Sequence, residues 1–180
     1  VIVDEEGNVT DVRVLQPGEG GSFAMGPDTV RVLLDGEATD GRFAIAEASL
    51  TAGVPGPPPH VHRDGLDEIW YVLDGELEFL FGDRTVRGTR GTFAFIPAGT
   101  VHTFSNVGDA TARWIGIFRP ASGLTMLEEV APAFAAAGPP DLELMASVFA
   151  RHGVEVVGEP PIGPSDALGS DPGEGLARAT

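Results

Sequence analysis

The chain has 180 residues, a formal net charge of −16 and no cysteine, and all eleven positive charges are arginine. Disulfides, thiolate chemistry and cysteine-based zinc sites are therefore excluded. So acidic a surface argues against general binding to nucleic acid or to anionic membrane. With 42% hydrophobic residues, 25 glycines and 15 prolines, the composition points to a packed core of short strands joined by tight turns.

Along the chain, Thr10–Leu15 alternates weakly and reads as an edge strand. Gln16–Pro27 is glycine-rich and reads as a loop. Thr29–Leu34 and Arg42–Leu50 read as strands, separated by Asp-Gly turn signals. The prolines of Thr51–Pro59 force an extended segment. Strand signals are then dense: Glu68–Leu73, Glu76–Phe81, Arg84–Arg87, Thr92–Ile96, Val101–Ser105 and Ala112–Phe118. Their regular spacing predicts a sandwich or barrel. In Glu76–Phe81, Leu77 and Phe79 face one side and the two glutamates the other, so that strand is half buried.

The character changes at Pro120. Ser122 reads as an N-cap for a helix over Gly123–Val130, which Pro132 ends or kinks, and Ala133–Ala137 extends it by a turn. Pro140–His152 has apolar residues at helical spacing, with Gly153 beyond its end and a short strand at Val154–Val157. No apolar run is long enough to span a bilayer, and Val1–Glu6 lacks a secretory leader pattern. The expectation is a cytoplasmic protein with no membrane partner.

Of four histidines, His60 and His62 stand one residue apart, so on a strand their imidazoles share a face. Glu68 opens the next strand and His102 lies near the end of Gly91–Asn106. In a closed barrel these four would converge. Three imidazoles and a carboxylate suit one divalent transition metal (Fe, Mn, Ni, Co, Cu or Zn) and suit calcium or magnesium poorly. Trp70 and Phe104 share face parity with Glu68 and His102; with Phe79 they are the candidate substrate-pocket wall. Asn106 reads as a turn residue, His152 as a surface residue, and Arg63 and Asp64 as loop charges.

The stretch from Gly56 to Gly75 contains His60-Val-His62, Glu68 and Gly75, and resembles the first cupin motif. The stretch Gly91-x5-Pro97-x-Gly99-x2-His102-x3-Asn106 matches the second motif at every specified position. Two departures stand out. The first glycine is out of register whether Gly53 or Gly56 is taken. Five residues separate His62 from Glu68 where the motif has three or four, which puts Asp67 at the family's spacing. Glu68 keeps the family spacing to Gly75 and is the preferred ligand, with the extra residue placed in the turn around Asp64-Gly65; Asp67 is the alternative.

The resemblance implies an all-β fold, a cupin double-stranded β-helix (a jelly-roll-like barrel) with C-terminal α-helices packed outside. The expected layout is an N-terminal arm at 1–28, the barrel at 29–120, a helical extension at 121–157 and a Gly/Pro-rich tail at 158–180. It also implies a metal-dependent enzyme on a small organic molecule, foremost a dioxygenase-type oxidoreductase similar to quercetin-dioxygenase-like cupins. Its substrate would be phenolic, enolic or a hydroxy-ketone, with Glu68 as catalytic proton acceptor. The alternatives are a redox-neutral isomerase, cyclase or lyase using the metal as Lewis acid, and a non-catalytic small-molecule binder. A homodimer is expected, through the sheet or by exchange of Thr10–Leu15.

Overall fold

The computed structural model describes residues 2–3, 9–10, 12–54, 56–134 and 140–159. Two short strands, β1 (Ile2–Val3) and β2 (Val9–Thr10), pair with each other in a sheet of their own among the described residues. The main strands are β3 (Gly21–Met25), β4 (Asp28–Leu34), β5 (Ala44–Leu50), β6 (His60–His62), β7 (Asp67–Asp74), β8 (Glu76–Phe81), β9 (Arg84–Thr89), β10 (Phe93–Ile96), β11 (His102–Asn106) and β12 (Ala112–Arg119). Helices α1 (Ser122–Val130) and α2 (Leu142–Arg151) follow, then strand β13 (Val154–Val156).

These strands form two antiparallel sheets. One runs β10-β7-β12-β5-β4-β3 and the other β13-β6-β11-β8-β9. The chain changes sheet repeatedly, so neighbours in space are distant in sequence. The architecture is mostly β, a double-stranded β-helix with two C-terminal helices beside it.

Alternation dictates what lies between the sheets. On β7, Glu68, Trp70 and Val72 are buried, while Tyr71 is exposed. On β8, Leu77 and Phe79 are buried. They join Leu50, Ile96, Ala112 and Trp114 in one cluster between the sheets. A second cluster, with Val30, Ala46, Leu66, Phe118 and Leu124, seats α1 against the six-stranded sheet. A third, with Met126, Val130, Met145, Val148 and Val154, joins α1, α2 and β13.

Two glycines are required by their surroundings. Gly75, in the tight β7–β8 turn, has φ of +75°, and a Cβ there would lie 2.6 Å from Ala112 Cα. Gly56 has its backbone against β11, where a Cβ would overlap the carbonyl oxygen of Phe104.

Several expectations need correction. Gly21–Met25 is a strand paired with β4 along its whole length, inside the segment read as a loop. Phe23 and Met25 alternate with exposed Ser22 and Ala24 and pack on the second cluster, a signal too short to stand out among the glycines. Val12–Leu15 is not a strand, so the expected edge strand over Thr10–Leu15 ends at Thr10. Ser122 is the first helical residue and makes no side-chain cap. Asp141 is a true cap, accepting from the amides of Glu143 and Leu144. Residues 135–137 and most of the 158–180 tail lie outside the described residues.

Gly75→Ala is expected to destabilise the fold by more than ~1 kcal/mol, since the left-handed backbone alone costs that much for an L-residue. Urea unfolding checks this. An unchanged midpoint would show that the β7–β8 turn relaxes without cost.

Candidate metal centre

Strand geometry brings the histidines together. His60 and His62 sit on one face of β6, and His102 on β11 is the direct cross-strand partner of His60. Their ring centroids lie 4.4–5.4 Å apart. Glu68 reaches them from the opposite sheet, at the start of β7. All four residues are buried, and their candidate ligand atoms lie within 4.8 Å of one another.

Glu68, not Asp67, faces the cluster. Asp67 points outward, accepting from the Ala98 amide at 2.9 Å and pairing with Arg119 at 3.1 Å. The extra residue between His62 and Glu68 is taken up in the turn through Gly65, whose φ is +89°.

The backbone orients the imidazoles. His60 Nδ1 is 2.9 Å from the Pro58 carbonyl, and His102 Nδ1 is 2.9 Å from the Thr100 carbonyl. A carbonyl can only accept, so each ring carries a proton on Nδ1, and in the neutral ring Nε2 is left as a lone-pair donor. Glu68 Oε1 lies 2.8 Å from His62 Nε2 and 3.4 Å from His102 Nε2. Yet both nitrogens are buried with no partner in hydrogen-bonding geometry. Buried polar atoms are rarely left so. An N3O donor set with two orphaned nitrogens fits a divalent transition metal.

The electrostatics agree with this fit. Burial pushes the His60 imidazole down to about 4, helped by His102 and opposed by Glu68, which keeps it neutral at pH 7. Burial acts to raise the Glu68 carboxyl, but the closeness and charge of His102 and His62 outweigh it and hold the group well below the usual carboxylate range. His102 is also buried, yet Glu68 raises it.

His60 and Glu68 border a cavity of about 1020 Å³ that extends from the barrel to α1 and α2. Trp70 and Phe104 line it, with Trp114 beside them. Phe79, expected in this wall, does not line it. It is 1% exposed and packs between Trp70 and the backbone at Gly88, where a Cβ would meet its ring at 2.3 Å. Arg63 is outside, paired with Glu155 at 2.9 Å. Asn106 is structural: its amide donates to the carbonyls of Leu50 and Ala110 and its oxygen accepts from the Gly108 amide. His152 is half-buried, 3.3 Å from Glu129, and not a free surface group.

Two features escaped the sequence reading. The Trp70 indole donates a 2.8 Å hydrogen bond to Glu68 Oε2; only the shared parity of positions 68 and 70 hinted at it. The strand β13 pairs with β6, placing Val154 opposite His62 and Val156 opposite His60. On its other side β6 has one residue pair with β11, so the C-terminal strand supplies most of the ladder of the His-x-His strand.

Fold and site together define a double-stranded β-helix with a buried three-histidine, one-carboxylate cluster. Residues 47–118 match the family model of the cupin domain, and that part of the chain has the cupin fold. A quercetin 2,3-dioxygenase from Bacillus subtilis (strain 168) is 36% identical over 93 residues, which are 51% of this chain and 26% of that enzyme. Solved structures share the fold. KdgF from Halomonas sp. matches at a TM-score of 0.53 and 18% identity, over 61% of this chain and 94% of that one. A predicted oxalate decarboxylase from Thermotoga maritima matches at 0.51 and 21%, over 60% and 99%. An RmlC-like cupin from Shewanella frigidimarina matches at 0.51 and 18%, over 62% and 93%.

The low His60 value has a consequence for the metal-free chain. The unfolded imidazole takes its proton near 6.5, whereas the folded one takes it near 4. The unfolded state therefore binds more protons between those values, and stability falls as pH drops through that window. The contribution of His60 is at most about 3 kcal/mol. Thermal melts of chelator-treated protein from pH 7.5 to 4.5 check this: His60→Asn should flatten the slope, and an identical slope would refute the assignment.

Proposed function

We propose that this chain is a metal-dependent enzyme of the dioxygenase type, acting on an uncharged phenolic, enolic or hydroxy-ketone molecule. One observation carries the reading: a buried His60–His62–Glu68–His102 cluster opens on an apolar cavity with no arginine among its described lining residues, in a chain without lysine. A phosphate or carboxylate substrate would find no side-chain cation there beyond the bound ion itself. The partial likeness to a quercetin 2,3-dioxygenase supports the same class.

In this reading His60, His62, Glu68 and His102 hold one divalent ion of Fe, Mn, Ni, Co, Cu or Zn. Such an ion, when bound, supplies Lewis acidity that lowers the pKa of a substrate hydroxyl and, for a redox-active metal, a path for reaction with O₂. The chain's own residues do the rest. His60 and Glu68 set the polar end of the cavity, so a substrate oxygen enters against them. Trp70, Phe104 and Trp114 hold the organic part and exclude water. Glu68 is the carboxylate within the cluster, placed to accept the proton that the substrate hydroxyl loses.

A homodimer through the six-stranded sheet belongs to the reading. Tyr71, Phe93 and Phe95 are exposed on its outer face, with Tyr71 directly opposite Phe93 on β10. Such a patch is unusual on a monomer surface. Phe93→Lys/Phe95→Lys should lower the sedimentation mass to that of one chain, and an unchanged mass would exclude this face.

The activity has a direct test. Protein purified without a tag or added metal should hold about one equivalent of a transition ion, lost in His60→Ala/His62→Ala and in His102→Ala. Oxygen uptake with flavonol and enediol substrates should follow metal content. Turnover without oxygen uptake would replace this reading with a redox-neutral Lewis-acid reaction. Binding without turnover would replace it with a small-molecule sensor.

A further inference from the structure

The two oxygens of Glu68 have different neighbours. Oε1 faces the imidazoles of His62 and His102 at 2.8 and 3.4 Å. Oε2 accepts from Trp70 Nε1 at 2.8 Å, and the bond is buried. An indole N–H can only donate, so it requires the ionised carboxylate oxygen to stay where it is. The indole is itself held. Its ring lies 5.1 Å from Phe104, 5.4 Å from Phe79 and 5.5 Å from His102, centroid to centroid. Phe79 is fully buried behind it, so the indole has no room to swing away.

We propose that Trp70 is a positioning residue for the metal centre: its N–H holds Oε2 out of the cluster, so that Glu68 presents Oε1 alone. Without it, the carboxylate is free to turn about its last bond and bring both oxygens to bear. That would occupy a further coordination position, the one a substrate oxygen needs. This inference rests on the metal-site reading above. It assigns the aromatic residue two places after Glu68 a role beyond walling the cavity.

The test uses Co(II) as the probe, added to metal-stripped full-length protein. Trp70→Phe keeps a ring and loses the N–H. It should bind Co(II) about 10- to 100-fold more weakly, the usual effect of removing an outer hydrogen bond to a ligand. Its visible Co(II) bands should also shift as the ligation changes. Tyr71→Phe, which removes a hydroxyl on the exposed face of the same strand, should keep the wild-type bands. A second readout needs no variant: the infrared difference spectrum on adding metal to wild type should show the wide carboxylate splitting of one-oxygen ligation. Wild-type affinity and bands in Trp70→Phe, or two-oxygen splitting in wild type, would overturn the inference and leave the metal site standing. Wild-type protein that takes up no Co(II) would overturn the site reading and this inference with it.

Discussion

Three imidazoles and a carboxylate are buried in a core otherwise made of Leu, Val, Phe and Trp. Unpaired polar groups in such surroundings cost several kcal/mol, so the rest of the structure has to answer them. Two backbone carbonyls take the Nδ1 protons of His60 and His102, and an indole takes one oxygen of Glu68. What remains unanswered is a pair of orphaned nitrogens aimed at a common centre. A divalent ion bound between them would complete the compensation.

Much of this was legible because β-structure has a period of two. The alternation of Glu68–Leu73 tells which side chains turn inward and puts Trp70 on the same face as Glu68. Gly75 was informative because the backbone there takes a positive φ against Ala112, which few residues tolerate. Parity has limits, however. It puts Phe79 on the inner face but does not say how far along the barrel it sits, and Gly88 lets the ring sink away from the cavity. The strand β3 was missed because its two apolar residues, Phe23 and Met25, are too few to show a period beside so many glycines. The pairing of β13 with β6 joins segments far apart in sequence, which no local pattern encodes.

The molecule separates two tasks. The candidate metal donors lie on β6 and β11, paired at His60 and His102, and on β7 of the opposite sheet. The far wall of the cavity comes from α1 and α2, beyond the residues that match the cupin family model. All three methionines of the chain line the cavity, two of them from these helices. Methionine adapts to irregular shapes, so substitutions on the helices can reshape the chamber while leaving the donor set untouched.

The pairing of β6 with β13 also bears on how the protein is made. Synthesis runs from the N-terminus, so the His-x-His strand emerges long before the strand that supplies most of its ladder. Until β13 arrives, one edge of β6 stands open. An open edge invites pairing with another chain. The donor set thus gains the strand that completes its alignment only after nearly all the described chain has been translated, so any metal that binds there would be loaded late.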